Sequence, residues 1–387
     1  MKSVKTPARL AAVGGFAAIS AAFLPGTSLA ATQPGAAHPG AGRGDAGDVF
    51  VQNDNTSGNA IAVYDRNRDG TLSAAGTYPT GGTGGALSGS VVDHLGSQGS
   101  LTYDRDSGLL YAVNAGSNTV TVFSVAGDRL IRRQIISSGG TFPVSVAVHG
   151  NLVYVLNARD GGSVQGFLRV GSILVKVPAW HRDLGLDPSL TPEFTSTPGD
   201  VAFTPDGSRL VVTTKGNGSD IDVFSVAPSG GLAAKPVVTS DPAGPFSVSF
   251  DAGGHLVVAE SGQNNSVATF TMRRDGTLTL DGRETTGGSA TCWITPDGSR
   301  FYASNAGSGT LSGFGDDGNG ALRPLGTTTT DAGTVDATTS PDGQYLYAQT
   351  GGAGIVDEYR VSASGSLTEI GKVTVPDAVG GEGIVAS

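Results

Sequence analysis

From Asp48 onward the apolar residues fall in short runs that alternate with polar ones or are β-branched throughout, as in TVTVFSV (119–125) and LVYVLN (152–157). That spacing predicts strands with a two-residue period and excludes the 3.6-residue stripe of amphipathic helices. The runs recur as a unit. An apolar strand is followed by a turn, often Pro-Asp-Gly, and a second strand ends in Asn or another polar residue. A Gly-rich turn, a third strand, an Asp-Gly or Ser-Gly turn and a fourth strand complete it. The first strands align on Leu101, Val146, Val201, Val248, Cys292, Ala337 and Ile384, at intervals of 45, 55, 47, 44, 45 and 47 residues. Four strands per repeat of about 45 residues predict an all-β fold, a single β-propeller.

The punctuation has a physical cause. Asp206-Gly207, Asp297-Gly298 and Asp342-Gly343 follow a Pro and link first to second strands, while Asp69-Gly70 and Asp275-Gly276 link third to fourth. Asp hydrogen-bonds nearby backbone and Gly accepts positive φ, so these aspartates read as turn formers. The first repeat supplies only three strands, in VFVQN, AIAVYD and TLSAAGT, all within residues 48–77. Its missing strand lies at the far end, in Gly383-Ile384-Val385-Ala386. Pairing that tail with residues 49–52 would remove two sheet edges, close the ring and bring the count to seven blades.

What precedes Asp48 has another character. Lys2, Lys5 and Arg9 lead into an apolar run from Leu10 to Leu24, and Ser28-Leu29-Ala30 offers small residues before a cut. Residues 1–30 thus read as a signal peptide and the protein as secreted. Residues 31–47, rich in Ala, Gly and Pro, read as a flexible tether, and 48–387 as the propeller. Cleavage removes three cations and no carboxylate, taking the net charge from −10 to −13. That charge argues against nucleic acid as a partner and against anionic lipid, so no membrane association is expected after signal removal. A monomer is expected. The single cysteine, Cys292, cannot form an intramolecular disulfide and reads as a small core residue.

Chemistry is sparse. No H-E-x-x-H, G-x-S-x-G or Walker loop is present, the five histidines are scattered, and neither a metal nor another cofactor is expected. The loops entering first strands and those leaving second strands gather on one face, around a central funnel. This rim carries Asp54, Arg159, Asp200, Lys215, Glu260, Asp336 and Glu382. Two segments break the repeat: the Gly-rich insertion 79–99, with Asp93 and His94, and residues 171–196, with Trp180, His181, Arg182, Asp183 and Glu193. Long irregular segments in compact folds commonly carry function.

Four stretches carry a resemblance: LYAVNAGSNTVTVFSV (110–125), SVAVHGNLVYVLNA (145–158), VAFTPDGSRLVVTTKGNGSDIDVFSV (201–226) and FYASNAGSGTLSGF (301–314). In this order they resemble the lactonase-type seven-bladed propellers, which include bacterial 6-phosphogluconolactonase, fungal carboxymuconate-lactonising enzyme and YVTN-type surface propellers. The resemblance covers about residues 48–387 and implies lactone chemistry in the funnel. It also implies a His before one first strand, an Arg-His pair before the next, and a Glu ending that blade's second strand. Here those positions hold Val144, Gly199-Asp200 and Lys215. Two readings follow. In one, the protein is a hydrolase for a small lactone or sugar-acid ester. Asp200, Lys215 and Glu260 form a displaced acid/base set, and Asn157, Arg159, Asp336, Trp180 and His181 contact the small-molecule ligand. In the other, it is a non-catalytic exported propeller that binds a ligand or a surface.

Overall fold

The computed structural model describes residues 47–387, so the expected signal peptide and all but the last residue of the expected tether lie outside the described residues. Its 28 strands form seven four-stranded antiparallel sheets, each one blade. The first blade has the order β28 (Ile384–Ala386), β1 (Asp48–Gln52), β2 (Ala60–Arg66), β3 (Leu72–Pro79). The other six follow chain order. Their first strands are β4 (Leu101–Asp104), β8 (Pro143–His149), β12 (Val201–Phe203), β16 (Pro245–Phe250), β20 (Thr291–Asp297) and β24 (Thr334–Thr339). The ring closes as the repeat predicts: Val49 pairs with Ala386, Phe50 with Val385 and Val51 with Ile384.

Burial falls from the axis outward. Second strands are covered on both faces, as in Leu109–Asn114, where all six residues are buried. Fourth strands alternate between covered and exposed positions, as in Leu367–Thr374. The core is therefore a series of apolar layers between neighbouring blades, one of which packs Val49, Val51 and Ile384 against Tyr345 and Tyr347. The turn aspartates behave as turn chemistry requires. Asp206 accepts the Ser208 amide at 3.0 Å, Asp342 that of Gln344 at 3.0 Å, and Asp275 that of Thr277 at 3.0 Å.

A ring of polar contacts joins the first strands. The Ser100 hydroxyl donates to the Glu382 carbonyl (2.8 Å), Thr102 to that of Val146 (2.8 Å), Ser247 to that of Cys292 (2.6 Å) and Thr295 to that of Ala337 (2.9 Å). Ser145 donates to Asp200 (3.0 Å), and Asp200 accepts the Val248 amide (3.0 Å). Asp336 accepts the Ile384 amide (3.3 Å). Every blade junction has such a contact. The polar residues in the inner strands thus satisfy backbone groups that the short, splayed strands leave free.

The 171–196 segment is more regular than its composition suggests. Ile173–Asp183 is an eleven-residue fourth strand, β11, paired with β10 (Ser163–Val170). Between the pairs Gln165–His181 and Phe167–Lys176 the outer strand carries the extra residues 177–180 as a bulge. The Gln165 amide fills the gap by donating to the Val177 carbonyl at 2.9 Å. Only after β11 does the chain leave the sheet, returning through a one-turn helix, α1 (Glu193–Ser196).

Candidate functional site

The funnel is filled by the chain itself. Residues 92–98, from the Gly-rich insertion between β3 and β4, meet every other blade. The His94 amide donates to the Gly380 carbonyl (2.8 Å), ahead of β28, and the Ser97 hydroxyl to that of Val144 (2.9 Å). The Gln98 amide donates to the Gly199 carbonyl (3.1 Å), and Val92 packs against Phe246, Trp293 and Val335. Across the ring, the Gln98 side chain bonds both backbone groups of Ile294 (3.1 and 3.0 Å), while the Trp293 indole donates to the Ser97 carbonyl (2.7 Å). Only a segment lying on the axis can touch all these blades.

Lys215 reaches this segment from the end of the second strand of its blade. A left-handed backbone (φ 53°) places it there, and it is 2% exposed. Its ammonium donates to the carbonyls of Gly96 and Phe194 (2.7 Å) and to the Thr197 hydroxyl (3.1 Å), and lies 5.2 Å from the centre of the Phe246 ring. Asp93 is its charged partner. Burial raises the Asp93 carboxyl to about 6, against the opposing pull of the Gly96 amide and the Lys215 charge. Burial lowers Lys215 to about 8, opposed by the Asp93 charge. Cys292 stands beside the pair, and burial pushes its thiol up. A carboxylate and an ammonium, both drawn toward neutrality on the axis, are the main chemical feature of the funnel.

More carboxyl groups surround them. Asp54 accepts the Gln52 side-chain amide (2.5 Å) and the Glu382 backbone amide (2.8 Å), and burial raises it to about 7. Asp336 and Asp200 are likewise raised to about 7 by burial. Glu382 is fully buried with neither carboxylate oxygen hydrogen-bonded; burial first, then Asp93, Asp336 and Asp54, lift it well above the carboxylate range. These acids hold protons at neutral pH more readily than free carboxyls do. Among the described residues, no three His, Cys, Asp or Glu side chains form a set that could hold a metal.

The three residues expected to form the acid/base set each bond to different partners. Asp200 serves the two blade junctions described above. Lys215 turns to the insertion, donating to the Gly96 carbonyl beside Asp93. Glu260 ends β17 (Leu256–Glu260) and points within its own blade, where Arg283 takes both its oxygens at 2.7 Å and also reaches Asp241 at 2.9 Å. Of the expected ligand contacts, Asp336 joins two blades. Asn157 is buried at the end of its strand and lies 3.5 Å from Ser163. Arg159 chelates Glu193 of α1 (2.6 and 3.1 Å) and lies 4.3 Å from the Phe142 ring centre. Glu193 in turn accepts the Ser88 amide at 2.7 Å, so this pair locks the insertion over the funnel. The cavity beside it, about 40 Å³, has room for water only. Trp180 and His181 sit on β11, the outermost strand of their blade. Trp180 stacks on Tyr154 (6.2 Å between ring centres), and His181 meets Asp183 (3.0 Å). Asp93 is the functional candidate that the repeat could not single out. Its signal was the insertion itself, whose Leu87 and Leu95 are buried.

Residues 183–295 match the family model of the lactonase seven-bladed β-propeller, and the fold is that of the lactonase-type propellers. No curated protein sequence matches the chain. Among solved structures, the periplasmic gluconolactonase of Pseudomonas aeruginosa superposes with a TM-score of 0.70 at 18% identity, over 88% of this chain and 98% of that one. A proposed 6-phosphogluconolactonase of Bacteroides fragilis gives 0.68 at 19%, over 89% and 98%. The virginiamycin B lyase of Staphylococcus aureus gives 0.53 at 15%, over 75% and 88%. At these identities the likeness concerns the fold.

Proposed function

We propose that this propeller is exported and hydrolyses a small lactone or sugar-acid ester at the axial Asp93–Lys215 pair. The observation that carries the reading is this buried pair, both bound to the backbone of Gly96, with Asp93 raised to about 6 and Lys215 lowered to about 8 by burial. The match to the lactonase model supports the reaction class. In the reaction, Asp93 takes a proton from water as its oxygen bonds to the lactone carbonyl carbon. Lys215 faces the developing oxyanion. The ring C–O bond then breaks, and the proton passes from Asp93 to the leaving alkoxide, giving a hydroxy acid. Entry requires residues 92–98 to shift, and a substrate carbonyl to replace one of the three oxygens around the Lys215 ammonium.

One observation favours the second reading, a non-catalytic binding propeller. Lys215 is already satisfied by the segment that closes the funnel. A panel of γ- and δ-lactones tested on the purified protein, beside Asp93→Asn and Lys215→Met, separates the two. Hydrolysis lost roughly a hundredfold or more in both variants, with both still folded, supports the site. Equal rates in all three proteins reject it, and no hydrolysis by the parent favours the binding reading.

A further inference from the structure

Four second strands carry a tyrosine at the same place, the third position: Tyr111, Tyr154, Tyr302 and Tyr347. Three of these hydroxyls donate to a turn glycine of the next blade. Tyr154 reaches the Gly230 carbonyl (2.7 Å), Tyr302 that of Gly365 (2.9 Å) and Tyr347 that of Gly70 (2.8 Å). The third strand decides what lies beside each ring. Tyr111 is paired with Val122 and Tyr347 with Glu358, both of which bring a side chain. Tyr154 and Tyr302 are paired with Gly166 and Gly313, which bring none.

The two glycine-paired blades differ in how the fourth strand fills the gap. In one, Trp180 from the β11 bulge stacks on Tyr154, with 17° between the ring planes. A Cβ on Gly230 would lie 2.4 Å from that indole. In the other, Leu325 takes the corresponding place. It is the extra residue between the pairs Gly313–Gly326 and Phe314–Pro324, and a Cβ on Gly365 would lie 2.6 Å from its Cδ1. An isobutyl group is smaller than an indole, and Gly326 adds no side chain opposite Gly313. A slot of about 190 Å³ is left, walled by Tyr302, Leu311, Leu325, Thr328 and Leu367, with no charged side chain in its lining.

We infer that this slot binds a small, neutral aromatic molecule of about the size of indole, seated beside Tyr302 as Trp180 is seated beside Tyr154. The volume suffices, since a cavity of about 150 Å³ with aliphatic walls takes up benzene. A planar ring gains from the Tyr302 ring what a saturated one does not, because offset rings attract beyond the area they bury. An ionised ligand fits less well, because the walls offer no opposite charge to replace its water. The slot is built by the two outer strands of one blade and the Gly365-Ser366 turn of the next, so the inference is independent of the reaction proposed on the axis.

Fluorine NMR of 5-fluoroindole mixed with the full chain tests it, comparing the parent with Leu325→Trp and Thr328→Asp. Leu325→Trp fills the slot from within, and it should melt no lower than the parent because Trp180 packs in the same frame. Thr328 is paired with Leu311 and so shares its face of the sheet, where Asp sets a carboxylate on the slot wall while the bulge stays intact. The expected result is saturable broadening with the parent and a dissociation constant raised about tenfold or more in each variant. Unlabelled indole should displace the probe, and cyclohexanol at the same concentration should not. No saturable binding by the parent, equal binding by all three proteins, or displacement by cyclohexanol as readily as by indole overturns the inference.

Discussion

Ile384→Ala tests the closure of the ring at the most buried residue of β28. Ile384 is 2% exposed, pairs with Val51, and packs in the layer with Val49, Tyr345 and Tyr347. The substitution removes three carbons, worth about 0.8 kcal/mol each in transfer. The surrounding side chains belong to two different blades and cannot collapse fully, so the space left behind brings the loss to about 3–4 kcal/mol. At a melting entropy near 2.1 cal/mol/K per residue, a domain of roughly 340 residues loses about 4–6 °C in Tm. Differential calorimetry at one scan rate measures this, with Val379→Ala, at a site 63% exposed, as the unchanged control. Deleting Ile384–Ser387 should cost more. It strips the β1 edge, removes the Ile384 amide from Asp336, and takes away the Ala386 carbonyl that accepts Arg105 at 2.8 Å. If Ile384→Ala melts within about 1 °C of the parent, the terminal strand does not hold the ring together and the closure argument fails.

Two further outcomes follow from the axis. Asp54, Asp200 and Asp336 are raised to about 7 and Asp93 to about 6, so the folded chain keeps protons that the unfolded chain releases near pH 4. Stability present below about pH 4 is therefore lost as pH rises through 6 and 7, and Tm should fall between pH 5 and pH 8, less so in Asp336→Asn; a flat or rising profile contradicts the burial assigned to these groups. Lys215 works the other way: it is lowered to about 8, so the cost of its buried charge is present below that pH and eases as pH climbs toward its unfolded value. Gln98→Ala leaves both backbone groups of the fully buried Ile294 without partners and should cost about 2–4 kcal/mol in urea unfolding, with faster hydrogen exchange at the Ile294 amide. Unaltered exchange there would show that residue 98 does not tie the insertion across the ring.

The blades were legible because their causes are local. A two-residue alternation makes a strand, and Asp-Gly makes a tight turn, wherever the pair lies in the ring. The spacing of the first strands also exposed the long interval before Val201, and the Gly-rich break in the repeat exposed the insertion at 79–99. Composition alone could not show that residues 173–183 extend a sheet. Their Pro178 and mixed polarity hide a strand whose bulge depends on Gln165 of its neighbour.

The sequence by itself therefore determined a seven-bladed ring, its turns and its closure by the last strand. The tertiary structure decided what the rim residues do. Glu260 looked like a funnel acid, but Arg283, two strands outward in the same sheet, claims it. Asp200 and Asp336 looked available, but neighbouring blades use them as amide acceptors. Lys215 comes under the charge of Asp93 only because the ring carries the insertion onto its axis. Partners across that axis are set by how the closed sheets converge, a long-range condition that no local spacing encodes.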